Sequence, residues 1–178
     1  MDPLKIIKKY VDENSEAYAI LVDHSTSVAD LAVEMGKAHP ELNLDLEFVR
    51  EAAMLHDIGI IKTAAETLDC HGDEPYICHG VLGAEILRSE GLEKHALVCE
   101  RHTGTGLSQD YIVEHGLPIP PRDMLPVSLE EKLICYADKF FSKTHLGEKR
   151  SVEVARKKLE KFGPATLARF DEFNALFG

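Results

Sequence analysis

The feature that most constrains this chain is a set of polar residues set into apolar helical stripes. Between about Ser15 and Ala38, apolar residues recur at spacings of three and four, and His24 falls on that stripe between Ile20 and Val28. His56 extends the stripe Leu46, Val49, Ala53, with Asp57 beside it. His79 precedes Leu82 and Ile86, His102 follows Val98, and Asp138 lies between Ile134 and Phe141. Burying a histidine or an aspartate is costly unless it is paired, hydrogen-bonded or bound to a metal. Six such residues on five helical segments predict that their tips converge in one place.

The rest of the chain reads as helical nearly throughout. Asp2-Pro3 looks like an N-cap followed by proline at the first helical position, opening a helix to about Val11. His39-Pro40 ends the long second helix, and Gly59 stops the third. Residues 60–78 read as irregular, with one short helix near Thr63 to Leu68. Helices follow from His79 to Arg88 and from Leu92 to His102. Residues 103–127 are rich in glycine and proline and read as a long functional loop with a helical turn near Ser108 to Glu114. Ser128 and Glu131 form a capping box for a helix to about His145. Two further helices, near Ser151 to Phe162 and Ala165 to Phe177, are parted by Gly163-Pro164. With no alternating strand pattern, repeat or linker, the expectation is one all-α domain over residues 1–178.

Charge narrows the class of partner. The chain carries 20 Lys+Arg against 31 Asp+Glu, a formal charge of −11, which disfavours nucleic acid and anionic membranes as partners. An anionic small molecule would need positive charge gathered locally. No apolar run approaches a membrane span, and the N-terminal residues lack a signal-peptide pattern, so the expected location is cytoplasmic. The four cysteines form no Cys-x-x-Cys pair and read as reduced thiols.

Imidazole and carboxylate together suit Fe, Mn, Co or Zn, and with no cysteine in the set a thiolate site is not implied. His56 and Asp57, adjacent at a helix end, can both reach one metal region, and the carboxylate can bridge to a second ion. Paired divalent ions can clamp a phosphoryl group. The ions would also supply the positive charge that an anionic substrate needs.

The ordered set His24, His56-Asp57-Ile58-Gly59, His79, His102 and Asp138 resembles the HD-domain superfamily of metal-dependent phosphohydrolases. The stretches His79-Gly-Val-Leu-Gly-Ala-Glu85 and His102-Thr-Gly104 look like small stand-alone members, among them archaeal-type HDIG proteins. They are also similar to bacterial enzymes that split diadenosine tetraphosphate symmetrically. The resemblance covers about residues 20–145, leaving the helices of 151–177 to pack on that unit. It implies a helical fold with His24, His56, Asp57 and Asp138 on one divalent ion and His79, His102 and a bridging Asp57 on a second, the metal being Fe, Mn, Co, Zn or Mg. The implied reaction is attack of a metal-bound hydroxide on a nucleotide or other small phosphoester. Some relatives with the same ligands are di-iron oxygenases, and a non-catalytic nucleotide-binding module is a third reading. The cyclic-di-GMP phosphodiesterase branch carries lysine after the tetrapeptide, where this chain has Ile60, and paired histidines where it has Arg101-His102.

Beyond the six ligands, Lys62, His71, Arg101 and Lys143 are candidate phosphate contacts, with Lys62 and Arg101 also candidate catalytic groups beside Asp57. Cys70-His71 and Cys78-His79 offer a loosely spaced alternative zinc site. His39, His95, His115 and His145 read as surface residues. The stripe Phe162, Leu167, Phe170, Phe173, Leu176, Phe177 reads as core or as the surface of a homodimer.

Overall fold

Side-chain caps set where the main helices begin. Asp2, Ser15, Asp45, Ser108, Ser128 and Ser151 each accept a hydrogen bond from a backbone N–H two or three residues on. The structure is a computed structural model that describes residues 1–178. Its helices are α1 (Pro3–Tyr10), α2 (Glu16–Ala38), α3 (Leu46–Leu55), α4 (His79–Ser89), α5 (Glu93–Arg101), α6 (Gln109–Glu114), α7 (Leu129–Asp138), α8 (Val152–Lys158) and α9 (Pro164–Phe177). The fold is helical, as the patterning predicts. None of the helices is long and apolar enough to cross a membrane.

Two local readings need correction. Residues 64–71 hold a small antiparallel pair, β1 (Ala64–Ala65) with β2 (Cys70–His71), around a single 3-10 turn at Glu66–Leu68. Two-residue strands are too short to show alternation in sequence. Asp69, at φ 54°, turns the chain between them. The second correction concerns α7, which ends at Asp138 and does not run to His145. The backbone N–H of Arg150 takes the Phe140 carbonyl at 2.8 Å, and its guanidinium takes the Phe141 carbonyl at 2.8 Å. Those are acceptors that a continuing helix would need.

The apolar side chains form two large clusters. One joins Val28, Ala29, Val49, Ala53, Leu133 and Tyr136 to Phe170, Phe173 and Phe177. The aromatic stripe of α9 is therefore core. The other joins Ile7, Ile20, Leu21, Leu55, Ile58 and Ile60 to Leu87, Ala96 and Cys99. α2 runs through both: Leu21 belongs to the second cluster, Val28 to the first, and His24 with Ser25 lies between. α3 does the same, with Met54 in one cluster, Leu55 in the other and His56-Asp57 following. The polar residues thus occupy a seam between two apolar bodies.

Candidate metal centre

Four elements deliver their ligands from helix ends. His56 and Asp57 follow the last residue of α3, His79 is the first residue of α4, His102 follows α5, and Asp138 is the last residue of α7. Only His24 comes from mid-helix. Three of the histidines are oriented by the same device. The Nδ1–H of His56 donates to Ala53 O at 2.6 Å, that of His79 to Tyr76 O at 2.7 Å, and that of His102 to Cys99 O at 2.7 Å, each three residues earlier. With Nδ1 donating to the backbone, each ring turns Nε2 toward the centre.

Those Nε2 atoms meet carboxylate oxygens. His24 Nε2 lies 3.0 Å from Asp138 Oδ1 and 3.2 Å from Asp57 Oδ2, while His56 Nε2 lies 3.0 Å from Asp57 Oδ2. The other oxygen of Asp57, Oδ1, lies 3.3 Å from His102 Nε2 and 3.5 Å from His79 Nε2. The two Nε2 atoms of His79 and His102 are 3.1 Å apart. Two donor groups result, one of His24, His56, Asp57 and Asp138 and one of Asp57, His79 and His102, with Asp57 common to both.

A cation fits this arrangement. His56 Nε2 and Asp57 Oδ1 are buried without a hydrogen-bond partner. Two ring nitrogens facing each other with lone pairs need a positive charge between them. Lysines already answer part of that need: Lys143 Nζ lies 2.6 Å from Asp57 Oδ2, and Lys139 Nζ lies 2.6 Å from Asp138 Oδ2 and donates to His102 O at 2.9 Å. Burial opposes ionisation of Asp57, yet His56 and Lys143 hold its carboxyl well below the usual range. Asp138 is held down likewise by Lys139 against its burial. Burial also works against a charged His56, but Asp57 and Asp138 lift it to about 9. His79 goes the other way: burial, then the neighbouring His102, pushes it down to about 3, so its ring stays neutral and able to ligate.

Gly59 makes the close packing possible. A Cβ there would fall inside van der Waals contact of the His79 carbonyl oxygen and the Gly83 backbone nitrogen. The turn after Asp57 therefore lies directly against the first turn of α4.

The centre forms the floor of a cavity of about 600 Å³, onto which His24, His79, His102 and Asp138 open. Five lining residues are cationic, Lys139, Lys143, Arg150, Lys158 and Lys161, and Asp138 is the one acid, in a chain of charge −11. Of the candidate phosphate contacts, the structure brings Lys143 to this cavity and leaves the other three outside its lining. Lys62 is exposed at the end of the 3-10 turn Ile58–Lys62. His71 is exposed and holds Asp69 at 2.9 Å. Arg101 is engaged by Glu131 at 2.8 Å, the residue that also accepts from Val127 N. Arg101 thus pins α5 to the start of α7.

Sequence reasoning missed Arg150, Lys158, Lys161 and the aromatic residues Tyr76 and Phe162. A signal existed for the cations: lysine and arginine cluster after Asp138 in an otherwise acidic chain. The alternative zinc site does not form, since Cys70 Sγ is directed at Leu68 O and Cys78 Sγ at Pro118 O. All four cysteines are free and buried. His95 is buried as well, edge-on to Phe48 and 3.4 Å from Glu51, and is not a surface residue.

Residues 21–142 match the family model of the HD domain. The chain belongs to the HD-domain family. The crystal structure of the HD domain of the L. monocytogenes phosphodiesterase PgpH has the same fold, with a TM-score of 0.56 at 15% identity over 99% of each chain. An uncharacterized protein of Methanocaldococcus jannaschii is 40% identical over 162 residues, covering 89% of this HD-domain chain and 82% of the relative. Proteins named tRNA (cytidine(56)-2'-O)-methyltransferase from Thermoplasma volcanium and Picrophilus torridus are 34% and 30% identical over 73% and 78% of this chain. The matches span only 33% and 38% of those two longer proteins.

Proposed function

We propose that this HD-domain protein is a metal-dependent phosphohydrolase acting on a nucleotide or another small phosphoester. The observation that carries the reading is a carboxylate, Asp57, shared by two buried histidine groups at the floor of a cation-lined cavity. His24, His56, Asp57 and Asp138 would hold one divalent ion, and Asp57, His79 and His102 a second. Such ions supply Lewis acidity, a nucleophile at neutral pH and neutralisation of phosphoryl charge. Asp57 fixes the spacing of the two groups, and the Nδ1 hydrogen bonds keep three imidazoles in the ligating tautomer. Arg150, Lys158 and Lys161 give the cavity a cationic wall for a phosphate-bearing substrate.

The methyltransferase name belongs to proteins much longer than this chain and is not carried over. The test is phosphate release from nucleotides, dinucleoside polyphosphates and sugar phosphates, with Mn²⁺ or with anaerobic Fe²⁺. Turnover should fall by roughly 10³-fold or more in Asp57→Ala, because the change removes a ligand from both groups. A metal-loaded protein inert across the panel would contradict the proposal, and oxygen consumption by the iron form would replace it with an oxygenase.

A further inference from the structure

Two lysines reach the carboxylates of the centre, and they do so in opposite ways. Lys139 Nζ lies 2.6 Å from Asp138 Oδ2 and donates to His102 O at 2.9 Å. It takes the oxygen that the histidines leave, because His24 and His56 face Asp138 Oδ1 at 3.0 and 3.4 Å. Lys143 takes a contested oxygen. Its Nζ lies 2.6 Å from Asp57 Oδ2, which His24 and His56 approach at 3.2 and 3.0 Å. The Tyr76 ring lies 5.9 Å from the same Nζ. The lysines also differ in what carries them. Lys139 directly follows α7, whereas Lys143 sits on a strap of residues 142–149, of which 144–149 are exposed. The strap bonds to itself, His145 N donating to Ser142 O at 3.4 Å and Thr144 N to Ser142 Oγ at 3.4 Å. Arg150 closes its base, with its backbone N–H on Phe140 O and its guanidinium on Phe141 O, each at 2.8 Å. The strap can therefore shift while the helices that carry the ligands stay in place.

Resting on the metal-centre part of the proposed function, we propose that Lys143 is a tethered competitor for the ion of the His24, His56, Asp57 and Asp138 group. Its ammonium neutralises Asp57 whenever that ion is not held, and the strap carries it away when the ion binds. Asp57 is fully buried, and a buried carboxylate with no counter-charge is costly, so the seam needs a cation at every stage. A divalent ion and an ammonium on the one oxygen would place two positive charges side by side where water screens little. One of them must leave, and Lys143 is the one on a movable support. Lys139 has no such conflict: it occupies the other oxygen of its carboxylate and is tied to a backbone carbonyl. The competition lowers the apparent affinity for the ion in proportion to the fraction of protein whose strap is engaged. Lys143 thus acts as a positioning residue for Asp57 until metal arrives and as a barrier to weakly held ions.

The experiment uses the full chain stripped with a chelator, as wild type, Lys143→Met and Lys139→Met. Each is titrated with Mn²⁺ by calorimetry and melted with and without Mn²⁺. Lys143→Met should move the two readouts in opposite directions: the stripped protein melts lower, yet Mn²⁺ binds about tenfold more tightly, the factor expected when the competent state is populated about a tenth of the time. Lys139→Met should melt lower with no gain in Mn²⁺ affinity. A third readout needs only the wild type, so it stands even if Lys143→Met folds poorly. Acylation of amines, mapped by peptide mass spectrometry, should spare Lys143 in the stripped protein and modify it in the Mn²⁺-loaded one, while Lys139 is spared in both. Weaker or unchanged Mn²⁺ binding by Lys143→Met would overturn the competitor, as would an equal gain in Lys139→Met or equal protection of Lys143 with and without Mn²⁺. Phosphate release by a wild type whose Lys143 stays protected would keep the hydrolase and remove the competitor. The opposite-sign signature without phosphate release would keep the competitor and remove the hydrolase.

Discussion

The six donors at the cavity floor sit at helix ends or, for His24, within α2, wedged between two apolar clusters. The cations of the outer wall sit on the turns after α7 and on the segment from α8 to Phe162, and Lys158 and Lys161 are exposed. The floor is positioned by backbone: three imidazoles are held by carbonyls three residues earlier, and Gly59 lets two backbones touch. The wall is positioned by long side chains that reach back across the chain, such as Arg150 onto Phe141 O and Arg169 onto Thr105 O and Gly106 O. Damage to the floor should therefore abolish the centre, whereas damage to the wall should change which substrate it accepts.

The strongest way to sharpen that contrast is Gly59→Ala. The added methyl meets backbone, which cannot rotate away, so α4 must move and carry His79 from Asp57. We expect a stability loss of about 1–3 kcal/mol or more by urea denaturation, together with impaired metal retention. An unchanged midpoint with full metal binding would show that the floor is not held by this contact.

A smaller effect is expected from Arg169→Ala. Its guanidinium donates to Thr105 O at 3.0 Å and Gly106 O at 3.0 Å, tethering the loop that supplies Thr103 and Gly104 to the cavity. Loss of those bonds should cost about 1–2 kcal/mol and, on the proposed phosphohydrolase reading, raise KM several-fold with kcat little changed. A collapse of kcat at constant KM would instead tie this loop to the floor.

The same contrast explains what the sequence revealed. His24, His56, His79, His102 and Asp138 were legible because each falls on or at the end of an apolar stripe, with Asp57 beside His56, and a buried polar group must be satisfied somewhere. Caps at Asp2 and Ser128 were legible because the cap and the N–H it serves are neighbours in sequence. The end of α7 was not, since Asp138, Phe141 and His145 continue its spacing and only Arg150, distant in sequence, takes the carbonyls away. Lys62 and Arg101 stood as candidate catalytic groups, but one faces solvent and the other is held by Glu131. Lys143 does reach Asp57 because α7 stops early and the chain turns back. Phe162 reads locally as part of a core stripe. Only the packing of the turn Glu160–Phe162 against Gly104 gives it a face on the cavity.

The central claim is that one carboxylate serves two cation positions, and metal stoichiometry tests it most directly. Protein reconstituted anaerobically with Fe²⁺ or with Mn²⁺ would be desalted and its metal counted by elemental analysis. The account predicts about two ions per chain for the wild type, about one for His79→Ala, and almost none for Asp57→Ala. A wild type that holds a single ion, or an Asp57→Ala protein that retains as much metal as His79→Ala, would contradict it.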